Sequence, residues 1–217
     1  MIEIENLRKE FKNELVLEDV NLTLEEGKIY GLVGHNGSGK TVLMKCICGL
    51  LQPNQGHVTV NGKIVGKDMD FPENVGLMIE MPGFIPYQSG RSNLKNLALI
   101  QNKIGDEEID EVMRMVGLSP EDRKRVSKYS LGMRQRLGIA QAIMENPDIL
   151  ILDEPFNGLD QRGIQQMREL FKMLRDNGRI ILLATHMMED VELLCDEIYE
   201  VREHRVFKRE NTGELAR

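Results

Sequence analysis

The 217 residues predict an α/β fold: a core on a mainly parallel sheet, an N-terminal antiparallel β-subdomain and an inserted α-helical subdomain. Three observations carry that expectation. Short strands with tight-turn chemistry fill the first third of the chain. A run of helical patterns follows from about residue 84. After Pro147 strand and helix alternate, and the first of those strands, Ile149–Leu152, has no polar interruption, as expected of a parallel strand buried on both faces.

Taken in order, the strands expected in the first third are Ile2–Phe11, Val20–Leu24, Ile29–Val33 and His57–Val60, with Gly27 and Asn61-Gly62 at turns. A helix from Lys40 to about Leu51 interrupts them and stops before Pro53. Val75–Ile79 is a further short apolar strand. Pro82, Gly83, Pro86 and Gly90 then break the chain. Apolar residues at helical spacing follow: Leu94, Leu97, Ile100 and Ile104; Ile109, Val112, Met113 and Val116; Leu137, Ala140, Ile143 and Met144. The last third predicts a helix at Gln161–Asp176, a strand at Arg179–Ala184, a helix at Met188–Leu194 and a closing hairpin of Ile198–Val201 and Arg205–Lys208. The expected division is a core of 1–83 plus 147–217 and a helical subdomain of 84–146.

Composition narrows the function classes. Hydrophobic residues make up 41%, enough for a packed core, and the formal net charge of −7 gives no reason to expect nucleic acid as a partner. No run is long and apolar enough to span a bilayer, and the charged start MIEIENLRKEF lacks the apolar stretch of a signal peptide. Cys46 and Cys48 lie two apart on an expected helix. They point to different faces, so buried reduced thiols are the expected state rather than a shared metal.

GHNGSGKT, Gly34 to Thr41, follows the strand IYGLV and opens a helix, the context in which G-x-x-x-x-G-K-[ST] binds phosphate. Gly34, His35, Asn36, Gly37, Ser38 and Gly39 supply backbone N–H groups that curl around phosphates, and the helix dipole adds its field. Lys40 reaches the β- and γ-phosphates, and the Thr41 hydroxyl meets Mg²⁺. DILILDEP puts Asp153 and Glu154 at the carboxyl end of a buried strand, the edge where ligands bind in open parallel sheets. Asp153 can hold Mg²⁺, and Glu154 can polarise a water for in-line attack on a γ-phosphate. A kinase would also need an acceptor site, and none is evident.

One helix opening, KYSLGMRQR from Lys128, carries no nucleophile, metal ligand or acid–base pair. Its residues alone suggest that Ser130 caps the helix. The phosphate loop, YSLGMRQR, ILILDEP, GLD at 158–160 and THMMED at 185–190, in this order, resemble the ATP-binding-cassette (ABC) ATPase family over almost the whole chain. The wording of YSLGMRQR is most similar to the multidrug and bacitracin-type export branch. The resemblance implies a P-loop core and an ATP- and Mg²⁺-dependent ATPase that works as a head-to-tail pair with each nucleotide between two subunits. It implies that Tyr129 to Met133 stand for the LSGGQ-type motif, with Ser130 and Gly132 contacting the partner's nucleotide. It further implies that His186 contacts the γ-phosphate, that Asp160 reaches across the pair and that Phe11 stacks on adenine.

Two positions depart from the family pattern: Leu131 stands where glycine is usual, and Glu80 where glutamine is usual, the latter still a possible Mg²⁺ ligand. The expected function is the ATPase subunit of an ABC transporter that works in export, peripheral on the cytoplasmic face of the membrane. Its expected partners are a second ATPase subunit, identical or not, and a separate transmembrane permease. The segment from Met81 to Gly90 and the helix after it are the expected docking surface, with adaptable apolar contacts expected from among Met78, Met81, Phe84 and Tyr87, some of which belong to the core. A soluble ABC-type ATPase that remodels a protein or nucleic acid, and an ATP-sensing module, are the alternatives.

Overall fold

The computed structural model describes residues 1–12, 14–80 and 83–209. Met81, named above for docking, lies outside them. The N-terminal sheet is antiparallel, in the order β2 (Glu14–Leu24), β1 (Ile2–Phe11), β4 (Gln55–Val60), β5 (Lys63–Ile64). Its register sets Ile4 opposite both Leu22 and Val58, which stacks buried aliphatic side chains on one face.

The second sheet runs β10 (Arg205–Lys208), β9 (Glu197–Arg202), β3 (Lys28–Val33), β8 (Ile180–Ala184), β7 (Ile149–Asp153), β6 (Val75–Met78). Every pairing is parallel except that of β10. The strand period of two divides its side chains between two cores. Leu150, Leu152, Ile181 and Leu183 join the core under the helices, whereas Ile149, Ile151, Ile180 and Leu182 join the core shared with the N-terminal sheet. Both faces are therefore covered, which explains the unbroken apolar run at 149–152.

The first core is closed by α2 (Gly90–Gln101), α3 (Asp106–Met115), α4 (Leu131–Ile143) and α5 (Gln161–Asp176); the second takes the buried face of α1 (Lys40–Ile47). A short α6 (Met188–Leu194) follows β8. Gly76 allows α4 to lie hard against β6, since a Cβ there would sit 1.9 Å from the Ala142 carbonyl oxygen. The chain at the entry to α2 is tied by Asn93, 3% exposed, which accepts from Ile85 N–H at 2.6 Å and donates back to the Ile85 carbonyl at 3.2 Å.

Three expectations need correction. The helix after the phosphate loop ends at Ile47 rather than near Leu51, because Gly49 turns left-handed (φ 78°) just past the cap residue Cys48. The second strand begins at Glu14 rather than Val20, since Leu15 and Leu17 extend the ladder with Glu10 and Lys9. Met78 is no docking residue: it ends β6 and is 2% exposed in the helical core, and Phe84 packs against that core. Tyr87 is 69% exposed. Cys46 and Cys48 are buried free thiols, as expected; burial pushes them up to about 11 and about 12.

Candidate functional site

Parallel register aligns the carboxyl ends of four strands. Leu32 of β3 and Asp153 of β7 both pair with Ala184 of β8, and Leu152 pairs with Met78 of β6. The loops that leave these ends therefore share one edge: 34–39 after β3, 79–80 after β6, 154–160 after β7 and 185–187 after β8. A cleft of about 690 Å³ opens there, lined by Phe11, Asn36, Gly37, Gly39, Lys40, Thr41, Glu80, Asp153 and Glu154 among others.

The loop expected to bind phosphate, 34–39, is tightly wound. Gly39 has φ 109°, a conformation that strains an L side chain, and a Cβ there would crowd Val16 and Leu17 at 3.1–3.3 Å. The loop turns with Ser38 N–H donating to the His35 carbonyl at 3.1 Å, and α1 starts at once with Leu43 N–H donating to the Gly39 carbonyl at 2.9 Å. The Lys40 ammonium folds back to donate to the carbonyls of Gly34 (2.8 Å) and His35 (3.1 Å). Burial lowers its pKa, against the opposing pull of Glu154 and Asp153. An ammonium held by two carbonyls and partly desolvated gains a stronger partner in a polyphosphate. Ser38 Oγ is buried with no hydrogen-bond partner among the described residues, a further polar atom that a phosphate oxygen would satisfy.

Thr41 Oγ1 donates to Asp153 Oδ2 at 2.6 Å, joining the start of α1 to the end of β7. Burial raises the Asp153 carboxyl, and the Thr41 hydrogen bond opposes this. A cation beside that carboxylate would favour its charged form. Among the described residues no group of three or more His, Cys, Asp or Glu side chains converges as a metal cage. One hydroxyl and one carboxylate next to a phosphate loop suit Mg²⁺, which keeps waters and takes substrate oxygens.

Glu154 follows in a left-handed turn (φ 50°). Its N–H donates to the Ala184 carbonyl at 2.8 Å, and its carbonyl accepts from Gln135 Nε2 at 2.7 Å. Its carboxylate Oε1 lies 2.9 Å from His186 Nδ1. The sheet thus brings Lys40, Thr41, Asp153, Glu154 and His186 to one edge. Glu80, also left-handed (φ 62°), pairs with Lys45 Nζ at 2.7 Å, and that hydrogen bond lowers its pKa. It reaches the cleft already engaged to a cation of its own chain.

Phe11 is 41% exposed on the cleft wall with Lys9 Nζ 4.9 Å from its ring centroid, so it is a surface aromatic rather than a core residue. Ser130 does cap its helix, accepting from Met133 N–H at 3.2 Å. Asp160 likewise caps α5, accepting from Gly163 N–H at 2.8 Å. Neither Ser130, Gly132 nor Asp160 lines the cleft of its own chain; Leu131, Gln135, Asn157 and Gly158 do. The sequence pattern does not single out Gln135. Its spacing of four from Leu131 on a helix was the available signal, since it puts both on one face.

The profile of the family described as ABC transporter matches residues 17–157, which run from β2 past the acidic end of β7. The chain belongs to the ABC transporter family. It is 42% identical over 206 residues to the ABC transporter ATP-binding protein YybJ of Bacillus subtilis (strain 168), covering 95% of this chain and 94% of that one. It is 41% identical over 217 residues to the bacitracin transport ATP-binding protein BcrA of Enterococcus faecalis, covering 99% and 70%. A solved structure of the ATP-binding subunit of an ABC transporter matches with a TM-score of 0.86 at 27% identity, over 97% of this chain and 90% of that one. The protein is thus the ATP-binding, ATP-hydrolysing subunit of an ABC transporter, with ATP as substrate and Mg²⁺ as the ion used in hydrolysis. ABC ATP-binding subunits function as dimers and pair with membrane permease components. Among the described residues no helix is long and apolar enough to cross a membrane.

Proposed function

We propose that this ABC subunit drives export by closing on ATP as one of a pair and reopening after hydrolysis, so moving a separate permease from the cytoplasmic face of the membrane. The observation that carries the reading is the pinned Glu154 carboxylate, set 2.9 Å from His186 on the edge that holds Lys40, Thr41 and Asp153. Glu154 accepts a proton from the attacking water. The water oxygen bonds to the γ-phosphorus as the bond to the ADP oxygen breaks. His186 orients the γ-phosphate, Lys40 and the backbone N–H groups of 34–39 hold the phosphates, and Phe11 stacks on adenine. Thr41 and Asp153, with Glu80 near them, would hold Mg²⁺, which supplies charge neutralisation at the phosphates.

Ser130 and Gly132 do not line the cleft of their own chain, which supports their acting on the nucleotide of the second subunit, with Asp160 reaching toward that subunit. The pair is two identical chains. The helical subdomain, 84–146, carries the LSGGQ-type motif on the core of 1–83 and 147–217, and its exposed Tyr87 faces the permease. Export is supported by the likeness to a bacitracin transport protein. Glu154→Gln tests the reading: steady-state ATP turnover falls at least about 100-fold, while ATP binding stays intact and sizing shows an ATP-dependent dimer. Wild-type turnover in that variant would remove Glu154 as the base.

A further inference from the structure

Gln135 is a polar side chain 5% exposed in the middle of α4, a helix otherwise turned toward the apolar core. A buried amide must find partners or cost stability. Its Nε2 donates to one acceptor, the carbonyl of Glu154, at 2.7 Å. That acceptor belongs to a residue in the left-handed region, which a glutamate adopts only when its surroundings hold it there. On the other side of the same Cα, the Glu154 N–H is fixed to Ala184 of β8 at 2.8 Å. The two peptides flanking Glu154 are therefore tied to two different elements, and the direction of its carboxylate toward His186 follows from both ties.

One turn earlier on the same helix face stands Leu131, where the family has glycine. It is 53% exposed, yet it covers the far end of the Glu154 loop: a Cβ on Gly158 would meet Leu131 Cγ and Cδ2 at 2.5 Å. Beside it, a Cβ on Gly132 would meet the Gly158 carbonyl oxygen at 2.7 Å. The first turns of α4 thus grip the 154–158 loop at both ends, by a hydrogen bond at Glu154 and by close packing at Gly158.

We infer that Gln135 is a positioning residue for ATP hydrolysis in its own subunit: its amide holds the Glu154 turn that aims the carboxylate, with Leu131 bracing the same loop at Gly158. This rests on the reading of Glu154 as the base. It gives the helix that opens with YSLGM a second task inside its own chain, and it gives the leucine a physical purpose, since a glycine at 131 could not cover Gly158.

The test uses Gln135→Met, close in volume but without a donor, in the intact chain with ATP and Mg²⁺. The kcat falls about tenfold while the KM and Kd for ATP stay within about twofold, because only the aim of the carboxylate changes. Leu131→Ala lowers kcat by a smaller factor, about threefold, again at constant KM. In the Glu154→Gln background, Gln135→Met adds no further loss, since the group it aims is gone. An unchanged kcat in Gln135→Met, a loss of ATP affinity parallel to that of kcat, or a full additional loss in the Glu154→Gln background would each overturn the inference. Should Gln135→Met not fold, Leu131→Ala decides, its side chain being half exposed: wild-type kcat there overturns it. A Glu154→Gln protein that turns over normally instead overturns the assignment of the base, a separate result.

Discussion

The loop after β3 and the loop after β7 both reach the nucleotide cleft, yet they are held in different ways. The 34–40 loop is held mostly by itself, while Thr41 just after it bonds to Asp153 of β7. Lys40 bonds back to Gly34 and His35, Ser38 to His35 and Leu43 to Gly39, all within six residues. The 154–160 loop has local turn bonds, Asn157 N–H to Glu154 and Leu159 N–H to Phe156, but is also held by others: Gln135 from α4, Ala184 and His186 from β8 and its exit, and Leu131 above Gly158. A self-tied loop can keep its shape as the helical layer moves. A loop tied to α4 and β8 reports any shift of either, which suits the role proposed for Glu154 in hydrolysis rather than a role in binding.

Two variants can break or sharpen this contrast, and a third probes an ion-pair network away from it. Lys40→Ala has the largest effect, weakening ATP binding about 30-fold by titration calorimetry, as expected for loss of charge-assisted hydrogen bonds to phosphate. Hydrogen exchange of 154–160 in that variant stays at the wild-type level; faster exchange there would show that the two loops are not independent. His186→Ala comes next. Turnover drops roughly tenfold, the scale of one hydrogen bond to a charged group, with ATP affinity unchanged. A parallel loss of affinity would place His186 with the binding loop instead.

The smallest effect lies outside the cleft. Partial burial alone raises the Glu197 carboxyl, but hydrogen bonds from Lys208, Lys28 and Tyr199 outweigh it and hold the group down to about 2. A lowered folded-state pKa stabilises above the ordinary value of 4.5 and loses that contribution as pH falls toward about 2. Glu197→Gln therefore lowers the melting midpoint by about 2 °C at pH 7, with unchanged ATP turnover. The difference from wild type shrinks below about pH 4.5. A growing difference in acid would contradict the assigned network.

The elements with their own periodicity were legible. Gln161–Asp176 and Met188–Leu194 fall where helical spacing puts them, and Ile149–Leu152 is the doubly buried strand its unbroken apolar run implies. The misplaced boundaries have local causes that pattern alone does not weigh. Gly49 ends α1 early by turning left-handed, and Leu15 and Leu17 lengthen β2 because β1 is there to pair with them. Met78 read as an adaptable surface residue, but the face of β6 it occupies is decided by the helices laid over that strand.

By itself the sequence determined the phosphate loop, the acidic end of β7 and the family. These depend on residue type and short spacing: glycines that accept left-handed turns, a lysine and threonine at a helix start, two carboxylates after an apolar strand. Only the tertiary structure decided that Gln135, nineteen residues before Glu154, bonds to the Glu154 carbonyl, that Leu131 covers Gly158, and that Glu80 is paired with Lys45. Those contacts join segments far apart in the chain. They exist because parallel register gathers the strand ends at one edge and because the core beneath α4 sets which of its faces meets the loop.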